Sequence, residues 1–243
     1  YFYNFNCRPK LADGRVNPFA DARVRRAFAM AVDRRVLTDE VLRMGNLPAY
    51  TLIPPGSITG YESPKGVVFD PAAARKLLAE AGYASGKAFP ITVDILFNKE
   101  GEHDRIAQFV AKEWERNLGV SVSLTPKEIR VFREDLKNGN FITSRAGWYG
   151  DYGDPTSFLD TSRSWDGNND RAFKNEGYDE LLQRAAREPD SAARIRGRTR
   201  SRSSTTAPGP RCTRAGRSAW RAAIRPRTSR AGTARVGRRS APA

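Results

Sequence analysis

Arg145, Trp148, Tyr149 and Asp151 place an arginine, two aromatics and an acid within seven residues. Gly147, Gly150 and Gly153 punctuate the stretch and permit a sharp turn or a close backbone approach to a ligand. A carboxylate at Asp151 beside the Trp148 ring suits an ammonium group in a partly dry site, where a charge-assisted contact contributes roughly 1.5–3 kcal/mol. An arginine six residues earlier can receive a carboxylate in forked geometry. Opposite charges at the two ends suit a zwitterion such as a short peptide. The main chain of Ala146, Gly147, Trp148 and Tyr149 between them can hold an extended ligand without reading its side chains. Each residue also has a plainer reading: Trp148 as core, Arg145 as a solvated strand residue, Asp151 as a turn former.

Other chemistries are poorly served. The sequence has no phosphate-binding loop, dinucleotide fingerprint, CxxC pair or nucleophile elbow, which argues against an enzyme and against a nucleotide cofactor. His103 is the single histidine, so a histidine-rich metal site is excluded and a Ser-His-Asp triad would have to use it. Asp151, Asp154, Asp166 and Asp170 lie in polar loops, but their spacing does not match an EF-hand, and solvated loop acids explain them better than calcium. No metal or other cofactor is expected. Cys7 and Cys212 are far apart and define no disulfide framework.

A net charge of +15 points towards nucleic acid until its location is considered. Residues 191–243 hold 15 arginines with no lysine and no acid, while the remainder balances 27 basic against 27 acidic side chains. The basic signal therefore belongs to the tail alone. That tail is almost entirely Arg, Ala, Ser, Thr, Gly and Pro, with too little apolar surface to offset the entropy of ordering, so disorder is expected. Its abrupt onset favours translation out of frame in GC-rich coding sequence over a genuine nucleic-acid- or membrane-binding tail. No apolar run approaches transmembrane length. The chain starts at Tyr1 without a methionine or signal peptide, as a fragment or mature product would.

The elements that must position the loop are read from periodicity. Residues 1–6 alternate as a strand. Asp21 caps a helix whose apolar face is Val24, Ala27, Phe28, Ala31 and Val32. A short helix near Val36–Arg43 precedes a proline- and glycine-rich loop over 46–66, read as running across a surface. Asp70-Pro71 opens a helix with Leu77 and Leu78 inward and Gly82 as its stop. A strand over 91–97, a helix over 102–118, a strand over 120–124, a helix over 128–137 and a strand over 141–148 follow. This is the rhythm of an α/β unit with crossovers. Asp154-Pro155 starts a further helix ahead of Phe158 and Leu159, and 178–187 forms the last one.

The order Arg145-Ala-Gly-Trp-Tyr-Gly-Asp-Tyr-Gly-Asp-Pro-Thr-Ser-Phe-Leu159 closely resembles the oligopeptide-binding proteins of ABC importers, extracellular solute-binding protein family 5. The likeness extends to residues 1–6, Asp21-Ala-Arg-Val-Arg-Arg-Ala-Phe28, Ala31-Val-Asp-Arg34, Pro48-Ala-Tyr50, residues 73–83, Asn117-Leu-Gly-Val120, Asn168-Asn169 and Tyr178-Asp-Glu-Leu-Leu182. It implies the C-terminal half of such a protein. Residues 1–189 would form its second lobe, periplasmic-binding-protein-like, with a mixed sheet flanked by helices and a hinge strand at the N-terminus. Residues 190–243 would be an Arg-rich tail in place of the family's closing segment.

Several functional expectations come with the resemblance. Two lobes close on a short peptide, and the position matching the aspartate that anchors its amino terminus is Asp151. Arg145 and His103 match residues that meet the peptide carboxylate, and Trp148 lines the site. Ile129 departs from the family, where an aromatic is common, so one side-chain pocket would differ. The partners implied are a peptide and an importer permease, without nucleic acid, and the protein would be a monomer. Its place would be periplasmic, or membrane-anchored on the extracytoplasmic face. The alternatives are a receptor of the same family for a non-peptide ligand, and, less favoured, nucleic-acid binding through the tail.

Overall fold

Strand β1 (Phe2–Phe5) is the outermost member of a four-stranded sheet and also the first element of the chain. The computed structural model describes residues 1–84 and 89–188, all within the first of the chain's two units, Tyr1–Pro208. The expectations for the Arg-rich tail, residues 190–243, lie outside the described residues.

After β1 the chain forms a 3-10 turn, Pro18–Ala20, and then α1 (Ala22–Met30). The Asp21 carboxylate accepts from the Arg23 N–H at 2.7 Å, which caps α1, and Val24, Ala27 and Phe28 are buried. The short α2 (Arg34–Val36) is capped by Asp33 and runs into a π-helical turn, Leu37–Leu42. There the Arg43 N–H reaches back five residues to the Thr38 carbonyl, a wider winding than the expected helix. Helix α3 (Pro71–Glu80) is capped by Asp70, whose carboxylate accepts from the Ala73 N–H at 2.9 Å. The chain leaves it through Gly82 at φ +97°, a backbone conformation that favours glycine.

Next come β2 (Val93–Asn98), α4 (His103–Leu118), β3 (Val122–Lys127), α5 (Ile129–Asn138) and β4 (Thr143–Ala146). The sheet order is β1-β4-β2-β3, with β2 parallel to both β3 and β4 and β1 antiparallel to β4. It is the expected mixed sheet with helical crossovers. β2 is buried on both faces. Val93, Ile95 and Phe97 join α1, α3 and α4 in the main core, while Leu96 joins Phe132 of α5 and Phe141 on the other side. Two polar contacts fix α4 against α1: the Trp114 indole N–H donates to the Phe28 carbonyl at 3.0 Å and the Asn117 amide to that of Ala31 at 2.8 Å.

Two strands differ in extent from the sequence reading. β3 begins at Val122 rather than Val120 and continues through Pro126, which an edge strand tolerates because no neighbour needs its missing N–H. β4 ends at Ala146, since β1 offers no partner beyond that point.

The described residues finish with α6 (Thr156–Leu159), a 3-10 turn at Asp160–Ser162 and α7 (Glu176–Ala186). These pack Phe158, Leu159, Tyr178 and Leu182 around Ile53, Ile58 and Tyr61 in a second core. The loop over 46–66 is thus corrected: it lacks regular structure, yet it inserts apolar side chains instead of lying across a surface.

Candidate functional site

The candidate loop leaves the sheet at the end of β4 and is caught again at the start of α6. Its anchor is Ser157. The Trp148 indole N–H donates to the Ser157 carbonyl at 2.7 Å, and the Asp151 backbone N–H donates to the Ser157 hydroxyl at 2.7 Å. Asp154 caps α6 as expected, accepting from the Thr156 N–H at 2.9 Å and its hydroxyl at 2.7 Å. Trp148 is half-buried against the second core, whereas Asp151 is exposed and Tyr149 is 93% exposed.

The named residues fall into two groups. Trp148, Tyr149 and Asp151 form the loop group. Arg145 and His103 form the other, beside Tyr1: the His103 and Tyr1 rings have centroids 5.4 Å apart. The Arg145 guanidinium lies over the Phe132 ring at 5.6 Å. His103 is the first residue of α4 and half-buried, not simply solvated. Partial burial, and then the nearby Arg145 charge, hold its pKa below the ordinary value, while Glu100 and Asp104 act in the opposite sense. Its Nδ1 and the Arg145 Nε are both buried without a hydrogen-bond partner among the described residues.

Between the two groups run Ala146, the last residue of β4, and Gly147, which is exposed. Among the described residues, the main-chain N–H and C=O groups of Gly147, Trp148 and Tyr149 make no hydrogen bond. The Asp151 carboxylate and the Arg145 guanidinium likewise make no ion pair there. Two charges of opposite sign therefore flank a short run of unused main-chain groups.

The remaining loop acids make local contacts at the surface. Asp166 accepts from the Asn168 N–H at 2.8 Å, and Asp170 pairs with Lys137 at 2.9 Å. The described residues contain no group of three or more His, Cys, Asp or Glu placed to hold a metal ion. Ile129 is half-buried against Phe132 and Phe141, filling the space beside α5 that an aromatic would share.

The sequence reading missed Ser157, which joins Trp148 to Asp151. Its only signal was its place as a small hydroxyl residue in the first turn of a capped helix, where such side chains turn back to nearby backbone. It also missed Arg171, which donates to the Asn4 side-chain oxygen at 3.1 Å and to the Ser162 hydroxyl at 2.5 Å.

Residues 1–170 match the middle region of the bacterial extracellular solute-binding proteins, family 5. The chain belongs to that family. The periplasmic oligopeptide-binding protein OppA of Salmonella typhimurium is 36% identical over 199 residues, which cover 80% of this chain and 35% of that protein. The probable deoxycholate-binding periplasmic protein YgiS of Escherichia coli is 34% identical over 198 residues, covering 79% of this chain and 35% of that one. The unliganded open form of MppA, the periplasmic murein tripeptide-binding protein, superposes with a TM-score of 0.74 at 34% identity. That match covers 84% of this chain and 39% of the MppA chain. The chain thus spans just over a third of the length of these family 5 relatives, and the periplasmic-binding-protein-like lobe expected from the sequence is the fold they share.

Proposed function

We propose that residues 1–189 form the second lobe of an extracytoplasmic receptor that captures short peptides and delivers them to the permease of an ABC importer. The observation that carries this reading is the pair of unpaired charges, Arg145 and Asp151, flanking main-chain groups with no internal partner. Asp151 pairs with the free amino terminus, and Gly147 to Tyr149 hold the peptide backbone as a short strand would. Trp148 walls the site. Arg145, with His103 beside it, receives the peptide carboxylate.

Closure of a first lobe over this face buries the ligand and strengthens each charged contact by excluding water. The work is binding rather than catalysis and needs no cofactor. The receptor acts as a monomer, free in the periplasm or anchored on the extracytoplasmic face of the membrane. The periplasmic location of its family 5 relatives supports that placement. No helix among the described residues is long and apolar enough to cross a membrane.

The test is a calorimetric titration of short peptides, each with a free and with an acetylated amino terminus, against a chain carrying both lobes. Binding of the free-amine form alone supports the reading. A second reading, a receptor for a non-peptide ligand, is favoured by the 34% identity to a relative named for deoxycholate. It predicts that neither peptide form binds. Equal binding of both forms removes Asp151 from its role.

A further inference from the structure

An acid stands at the same end of the site as Arg145 and His103. β2 ends at Asn98, and the loop that follows folds Glu100 back against it: the Asn98 side-chain amide donates to the Glu100 carboxylate at 2.5 Å. Asn98 is 3% exposed, so a buried side chain at the strand end holds Glu100, while Glu100 itself is exposed. β2 and β4 run parallel with Leu96 opposite Ser144, and continuing that register sets Asn98 beside Ala146, one residue past Arg145. On the other side Gly101, at φ +74°, turns the chain into α4, and a Cβ added there would lie 3.9 Å from the His103 Nε2. The loop bearing Glu100 thus links a strand end beside Arg145 to the helix start that carries His103.

Its neighbours leave this carboxylate available. Glu102 pairs with Arg105 at 2.7 Å, and Asp104 accepts from the Arg105 N–H at 2.8 Å. Glu100 makes no ion pair among the described residues. The Asn98 hydrogen bond above all, with smaller help from the His103 and Arg145 charges, holds its carboxyl below the ordinary glutamate range, so it is ionised at neutral pH.

We propose, resting on the receptor reading above, that Glu100 makes the site select peptides whose last residue is lysine or arginine. The peptide carboxylate goes to Arg145 and His103, and the side-chain cation of the same residue goes to Glu100. A neutral last residue would satisfy Arg145 but leave the Glu100 carboxylate facing the ligand's own carboxylate without a cation between them. An acidic one would add a second like charge. The site therefore carries a repulsive element as well as an attractive one, which is what discrimination between ligands requires. Asn98 keeps Glu100 from swinging away, and closure of the first lobe strengthens both effects by excluding water.

The test is calorimetry on a chain carrying both lobes, with four free-amine tripeptides: Ala-Ala-Lys, Ala-Ala-norleucine, Ala-Ala-Glu and Lys-Ala-Ala. The first and last have the same composition and net charge, so they separate a positioned contact from general attraction of cations. Ala-Ala-Lys is expected to bind about tenfold tighter than the norleucine peptide, the worth of one charge-assisted hydrogen bond, and tighter than Lys-Ala-Ala by a similar factor. Ala-Ala-Glu should bind weakest. Glu100→Gln, a change at an exposed position, is expected to bring the lysine and norleucine peptides to equal affinity. If that variant does not fold, the four peptides on the unaltered protein still decide. Equal affinity for Ala-Ala-Lys and the norleucine peptide, equal affinity for Ala-Ala-Lys and Lys-Ala-Ala, or a preference that survives Glu100→Gln would each overturn this proposal while leaving the receptor reading in place. Binding of none of the four would overturn both.

Discussion

Ser157 holds Trp148 and Asp151 at once, its carbonyl taking the indole N–H and its hydroxyl the Asp151 N–H, both at 2.7 Å. The candidate loop is therefore fastened over the first turn of α6, whose Phe158 and Leu159 belong to the second core. The position of the exposed Asp151 carboxylate depends on packing several residues away.

Gly150 tests that dependence. A Cβ there would lie 3.0 Å from Cε2 and Cζ of Phe158, a buried ring with little room to retreat. Gly150→Ala is expected to cost about 1–3 kcal/mol by overpacking and to weaken free-amine peptide binding. At Gly147 the nearest neighbour of an added Cβ is the Arg145 Nη1 at 3.8 Å, so Gly147→Ala should leave stability nearly unchanged. Thermal melts of the two variants make the comparison.

Asp151→Ala is expected to weaken binding of free-amine peptides by roughly 2–5 kcal/mol in a chain carrying both lobes, largely because the ligand ammonium is left buried without a partner. Calorimetry against the acetylated peptide gives the baseline. A loss smaller than about tenfold would remove Asp151 as the anchor.

His103 should make stability depend on pH. Its folded pKa is held below the usual 6.5, first by burial and then by Arg145. The unfolded chain therefore binds the proton first as pH falls, and stability present above 6.5 declines below it until the folded group also titrates. His103→Gln is expected to flatten the denaturant midpoint between about pH 7 and pH 5 relative to the parent. A ligand carboxylate at the imidazole would raise its pKa, so peptide binding should take up protons in this range, measurable from heats in buffers of different ionisation enthalpy.

Gly66 controls the loop that supports the second core. An added Cβ would fall 1.8 Å from the Tyr50 carbonyl oxygen, which already accepts the Val67 N–H at 3.0 Å. Because the obstacle is backbone, Gly66→Ala must displace the chain, at a cost of about 3 kcal/mol. Faster exchange at Val67 and a red-shifted tryptophan emission, as Trp148 loses its backing, would report the loop's release.

The helices were legible because their signals are local. Asp21, Asp70 and Asp154 announce caps, and the spacing of Val24, Ala27 and Phe28 announces the buried face of α1. Strand limits were less so, since β4 ends opposite the start of β1 and that partner lies at the other end of the sequence. The burial of Ile53, Ile58 and Tyr61 carried no periodic signal, because irregular backbone can turn any side chain inwards. At the site, residue order marked Arg145, Trp148 and Asp151. What joins or separates them, through Ser157 in the loop and Tyr1 beside His103, is tertiary and had no mark in the sequence.

The position of β1 at the sheet edge sets an order of events during synthesis. Phe2 pairs with Ala146, 144 positions later, so the ribosome finishes β1 long before its one strand partner among the described residues exists. At about 5–20 residues per second that interval lasts roughly 7–30 s, many times longer than a hairpin needs to form. Closing so long a loop also costs about 4 kcal/mol of chain entropy, to be recovered from four residue pairs and the ring contacts of Tyr3 and Phe5. The aromatic β1 strand is thus the last part of the sheet to find shelter.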